Sequence, residues 1–339
     1  MLLGTIPAMI QASVRQSIVF VWLILALVGP ALAGEGPLFW EREFPATDFK
    51  KYSIDYSEIR SDSATRDSIP PINKPRFAAV DKINGIGDLE PVISVVIDGE
   101  ARAYPIRIML WHEIVNDRIG NVPILVSYCP LCNSSVVYDR RVDGRALAFG
   151  NTGRLRHFDM VMYDHATSSW WQQFDGQAIV GEMLGKRLKP IASRVESLAR
   201  FRSSWPDGQV MVPSDPAARP YGTTPYVRMD SSDGSGLEAY GLPKGVTPFD
   251  RVVVVGREAW TLKLLRERGV IEEADTVIAW EAGQNSAHDA KLIYFGRDVG
   301  NVMVRRFDPN SDEYIDAPHD LPFAFTFAAF VKGGVLHVR

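Results

Sequence analysis

Cys129 and Cys132 are the only thiols in a chain of 339 residues, and only two residues separate them in Ser127-Tyr128-Cys129-Pro130-Leu131-Cys132-Asn133. A close thiol pair supports three chemistries: a redox dithiol, a soft-metal site, or a structural disulfide. A bridge across four residues would constrain the unfolded chain by only about 2 kcal/mol, a small staple for a chain this long. A redox dithiol works best with its first cysteine at a helix N-terminus, where the dipole lowers the thiol pKa. Here Ser135-Val136-Val137-Tyr138-Asp139 reads as strand, so Arg140, Arg141 or a histidine would have to compensate. Two thiolates on a Cys-Pro-Leu-Cys turn between strands match a metal-binding knuckle, and a closed tetrahedral site needs two further ligands.

His112, just before the cysteine strand, is the first candidate ligand, and His157 and His165 follow. Each lone histidine is equally readable as a surface or hydrogen-bonded residue. Copper(I) and zinc are the ions that soft sulfur ligands favour outside the cytoplasm. Asp164 is a candidate acid-base group or a partner of a ligating histidine; its plain alternative is to open a turn toward Thr167. Gln172 could line the same site, and Trp170 and Trp171 either wall a cleft or fill core. Glu113 and Asp117 read as a solvated helix face. Asn133 in place of histidine excludes the usual c-type haem attachment. Gly150-Asn151-Thr152-Gly153 reads as a turn and lacks the spacing of a phosphate loop, which leaves no nucleotide site. There is no Gly-x-Ser-x-Gly elbow and no His-Glu-x-x-His helix.

The elements that must position these groups follow from pattern. Val92–Ile97 is β-branched, and Asp98-Gly99 turns it into Glu100–Tyr104. Pro105 starts an expected helix through Asp117, with Ile106, Met109, Leu110 and Ile114 on one face. Val122–Tyr128 is a buried strand leading into the cysteines. Met160–Asp164 reads as another strand, and the capping-box spacing of Ser193 and Glu196 predicts a helix to Arg200. The order recurs near the C-terminus. Arg251–Trp260 repeats the hairpin, Leu262–Arg268 the helix, and Leu292–Gly300 repeats Val136–Gly144, a register that sets Cys129 against Asn285. This is a weak internal duplication in which one half keeps the thiols.

With 46% apolar residues the chain can bury a full core, and a formal net charge of −4 argues against nucleic acid. Expected partners are a metal ion, a small molecule or a thiol-bearing protein. Residues 1–33 carry one charged residue, Arg15, then the apolar run Ile18–Val28 and Ala31-Leu32-Ala33. That is the pattern of a cleaved secretory signal, with an uncleaved anchor as the alternative and the only expected membrane contact. The protein is therefore expected to be exported, periplasmic or secreted.

Tyr104-Pro105, His112-Glu113-Ile114-Val115-Asn116-Asp117, Tyr128-Cys129-Pro130-Leu131-Cys132, Met162-Tyr163-Asp164 and Trp170–Gln172 together resemble the DUF3179 family from about Phe77 onward. The resemblance implies relatives without a settled reaction, and a chemically active sulfur position, since selenocysteine takes a cysteine's place in some of them. His165 departs from the arginine common in relatives, and Asn133 from a small residue.

The expected fold is α+β and β-rich: one globular unit of two related strand-helix-hairpin lobes. Its segments are a lead-in over residues 34–75, a thiol-bearing lobe over 76–213, a Pro/Gly/Ser-rich connection over 214–250, and a degenerate repeat-like lobe over 251–339. The leading function is soft-metal binding at Cys129 and Cys132. The alternatives are a thiol-disulfide oxidoreductase using the same pair, and a non-catalytic interaction module shaped by a disulfide.

Overall fold

The structure, a computed structural model, describes residues 37–61, 64–232, 234, 237 and 240–339. The expected signal segment lies outside the described residues. Five sheets of three to five strands are arranged as a five-bladed β-propeller. The five α-helices among the described residues are seven residues each and serve as connectors. The β-rich expectation holds, while the α+β label and the two-lobe arrangement give way to a propeller.

Two blades position the thiols. One is ordered Ile114–Ile119, Val122–Cys129, Ser134–Asp139 and Lys189–Ile191. The other runs Ile59–Ser61, Phe149–Arg156, Asp159–Asp164, Trp170–Gln172 and Ala178–Val180. Leu125, Val136, Tyr138, Phe149, Met162 and Trp171 fill a shared core in which both cysteines are included.

The duplication is visible in the topology, in a different form from the one expected. The hairpin Pro91–Ile97/Glu100–Pro105, the helix Ile106–His112 and the meander of the thiol blade have counterparts in order. These are Val252–Val255/Glu258–Thr261, the helix Leu262–Arg268, and the meander Val270–Glu273, Thr276–Glu281, Asn301–Asp308. Each copy also returns, after the helices Leu198–Ser204 and Ala324–Phe330, with a strand parallel to its second hairpin strand. Hairpin and meander fall in different sheets, so each copy spans two blades and neither makes a lobe. The expected register also shifts. Tyr294 lies in a short 3-10 turn, and Asn301–Asp308 is the counterpart of Ser134–Asp139.

Several local expectations change for physical reasons. The helix expected to reach Asp117 ends at His112, because Glu113 takes φ 58° and β-branched Ile114-Val115 continue as strand. Glu113 and Asp117 are consequently buried: Glu113 accepts from Asn151 at 2.6 Å, and Asp117 from Tyr104 Oη at 2.6 Å and Arg102 at 2.7 Å. Ser193–Ser197 is strand, and the N-cap is Ser197, whose Oγ accepts from Arg200 N–H. The lead-in contributes the edge strand Ile59–Ser61. It also buries Trp40, Phe44 and Phe49 around Trp170, enough apolar area to make it integral to the blade. Gly150–Gly153 belongs to a strand with a register shift between Asn151 and Arg154.

Candidate functional site

Cys129 ends its strand, and Pro130-Leu131 turn the chain so that Cys132 Sγ lies 3.0 Å from Cys129 Sγ. Asn133 closes the turn with φ 53°, a left-handed conformation that asparagine tolerates. Its side chain donates to Leu321 O at 2.6 Å and accepts from Tyr128 Oη at 3.2 Å. Both cysteines are free thiols, exposed to 1% and 0%.

The remaining groups come from the neighbouring blade. Strands Phe149–Arg156 and Asp159–Asp164 pair with Arg156 opposite Asp159, leaving His157 and Phe158 as a two-residue turn. Both have positive φ, 50° and 64°, the hallmark of a type I′ turn that normally selects Asn-Gly. Such backbone disfavours bulky residues by roughly 1–2 kcal/mol each. Packing holds it in place: His157 lies edge-on to Tyr240 and Phe330, and Phe158 against Phe325. The turn aims the Phe158 carbonyl at the thiols, 3.1 Å from Cys132 Sγ and 3.5 Å from Cys129 Sγ.

Asp159, fully buried, follows immediately. Its Oδ2 accepts from Cys132 Sγ at 3.3 Å, and its Oδ1 from Phe174 N–H at 3.0 Å and from Gln172 Nε2. Burial pushes the Asp159 carboxyl up to about 7 against those donors. Burial likewise raises both thiols, Cys132 well above the ordinary value. One sulfur from each cysteine and one Asp159 oxygen lie within 4.8 Å of one another, a spacing that a metal ion can bridge. Burial makes all three groups hold their protons more tightly than usual, and a cation inserted among them would displace the protons they carry.

Of the residues expected at the site, Cys129 and Cys132 come together, and Gln172 reaches them through Asp159. The histidines go elsewhere. His112 Nδ1 is 2.8 Å from Pro70 O and its Nε2 is 2.8 Å from Tyr221 Oη. His157 Nε2 sits 3.5 Å from Glu58, and His165 stacks on Tyr163. Asp164 takes its plainer role, accepting from the N–H groups of Ala166 and Thr167 and from Trp171 Nε1 at 3.0 Å. Trp170 and Trp171 are core. Arg141 pairs with Asp139, and Arg140 donates to Leu147 O, so neither assists a thiolate. Asp159 and Phe158 are the partners that sequence reasoning missed. The only signal was a carboxylate opening an otherwise apolar strand, Asp159-Met160-Val161-Met162.

Fold and site together define a β-propeller carrying a buried dithiol-carboxylate centre. The chain belongs to the DUF3179 family, described as a protein of unknown function, whose model matches residues 66–332. No curated protein and no solved structure matches it.

Proposed function

We propose that Cys129, Cys132 and Asp159 bind a soft transition metal, with the Phe158 carbonyl as a fourth donor. The observation that carries this is the convergence of two thiols and a carboxyl within 4.8 Å, all buried. Two sulfurs with two oxygens suit zinc better than copper(I), because the carboxylate is a harder donor. Tetrahedral Zn–S bonds of about 2.3 Å set sulfurs about 3.8 Å apart, so loading would open the pair by about 0.8 Å from the 3.0 Å seen here. No histidine enters the ligand set.

Elemental analysis of protein purified anaerobically without chelator tests this. About one zinc or copper per chain, lost in Cys129→Ser and in Asp159→Ala, is the expected result. A metal-free protein after reconstitution with both ions would sink the reading. The 3.0 Å sulfur separation also supports a second reading, reversible oxidation of the pair to a disulfide. The raised thiols and the strand Ser134–Asp139, which stands after Cys132 where a redox dithiol would open a helix, weigh against it, since a nucleophilic cysteine needs a lowered pKa. The N-terminal pattern supports export, where a metal site must assemble without cytosolic thiol buffers.

A further inference from the structure

The loop between Thr276–Glu281 and Asn301–Asp308 stands where the second copy's counterpart of the cysteine turn belongs. It carries no thiol, yet it reaches the first turn. His288 is fully buried, with Nε2 2.7 Å from Pro130 O and Nδ1 3.5 Å from Arg251 Nη2. A guanidinium only donates, so Nδ1 accepts and the proton sits on Nε2, which donates to the Pro130 carbonyl. The imidazole is held from behind. Its backbone N–H donates to Ser286 Oγ at 3.0 Å, and Ser286 Oγ donates to Asp230 Oδ2 at 2.6 Å. Arg251 donates to Ser286 Oγ at 2.9 Å and pairs with the buried Asp230 at 3.3 Å. Burial and the Arg251 guanidinium drive His288 down to about 3, so it stays neutral and keeps one tautomer across the working range.

Pro130 is the pivot of the turn. Its carbonyl also accepts from Asn133 N–H, at a long 3.3 Å, and swinging that peptide would carry Cys132 off Cys129 and Asp159. We propose that His288 is a positioning residue of the dithiol centre, contributed by the thiol-free copy, which clamps the Pro130 carbonyl and thereby holds Cys132 in register. This rests on the reading above that the two thiols are the working groups. A pre-set turn lowers the ordering cost of capturing a ligand, as outer hydrogen bonds do at metal sites generally.

The test uses the full chain, reduced and metal-free, with two readouts: the rate of thiol alkylation by iodoacetamide, and a cadmium(II) titration followed by thiolate-to-metal absorbance. His288→Asn leaves its donor short of Pro130 and is expected to speed alkylation about 10-fold and weaken cadmium about 10- to 100-fold. His288→Gln, which reaches further, should restore both. Leu265→Ala, a core substitution in the helix Leu262–Arg268, controls for general loosening. If it speeds alkylation as much as His288→Asn, or if folded His288→Asn alkylates at the parental rate, the clamp is refuted. Failure of the parental protein to bind cadmium, with alkylation still faster in His288→Asn, would refute the metal reading and leave the clamp standing. Should His288→Asn not fold, Ser286→Ala removes the hydroxyl behind the ring. It must then speed alkylation for the inference to survive.

Discussion

At the scale of single residues, burial decides the protonation of the centre. Cys129, Cys132 and Asp159 lie in apolar surroundings that penalise their charged forms, so each holds its proton higher than usual. A bound dication replaces those protons. Calorimetry in buffers of different ionisation enthalpy should therefore detect about three protons released per zinc below pH 7 and about two above it, as Asp159 loses its own near 7. A count near zero would mean that the thiols are not ligands. The cysteine pair was legible in the sequence because its two members are neighbours. Asp159 was not: it comes from a hairpin 27 residues beyond Cys132, and residue type alone does not tell a buried carboxylate from a solvated one. The histidines misled for a related reason, since nothing in the spacing of His112 reveals that Pro70 and Tyr221 take both its nitrogens.

At the scale of elements, irregular backbone places the donors. The His157-Phe158 turn carries the carbonyl to the sulfurs, and three residue pairs earlier the same strand bulges at Thr152-Gly153. Gly153 has φ 71°, and a Cβ there would stand 2.4 Å from Ala64 O. Gly153→Ala should accordingly destabilise the protein by on the order of 2–3 kcal/mol, measured as a lower urea midpoint at unchanged slope. A shift under about 0.5 kcal/mol, the level of an ordinary surface change, would show that the lead-in simply moves aside. Strands with strong β-branched, apolar runs, such as Val122–Cys129 and Val252–Val255, were legible from composition and turn chemistry alone. The bulge and the His-Phe turn were not, because tertiary packing overrides local preference in both; the strand after Glu113 was hidden by apolar spacing that fits a helix, although Ile114-Val115 are β-branched. Ser193-Arg194-Val195-Glu196 makes the same point: a good capping box is pulled into a ladder with Pro91–Ile97.

At the scale of the molecule, the centre depends on chain separated by almost two hundred residues. Asp320–Phe323 runs between two blades, bonded on one side to Val252 and Val254 and on the other to the cysteine turn. Phe323 N–H donates to Cys132 O at 2.8 Å, and Asp320 accepts from Ser134 Oγ at 2.6 Å and Ser135 N–H at 2.7 Å. Burial raises the Asp320 carboxyl to about 6 in spite of those donors. A raised carboxyl means that the folded state binds the proton more tightly than the unfolded chain. Its contribution to stability is therefore lost as pH rises from about 4 to about 6, by on the order of 3 kcal/mol. Asp320→Asn should remove that part of the pH dependence, read as a smaller difference between urea midpoints at pH 4.5 and 7.5 than in the parent. An unchanged difference would place the titration elsewhere. The paired hairpin-helix order was readable as a duplication. The propeller was not, since its blades are joined by contacts as remote as Asn133 with Leu321, which no local window contains.

That remote latch sets a schedule for assembly. Chains are made from the N-terminus, so both cysteines emerge long before Asp320–Phe323 and His288 exist to close over them. Until those residues dock, the cysteine turn lacks the contacts that cover it; in the complete fold both thiols are buried. The centre is thus a record of completed synthesis, and a chain cut short anywhere before Phe323 would carry both sulfurs without the bond from Phe323 N–H to Cys132 O that fixes their turn.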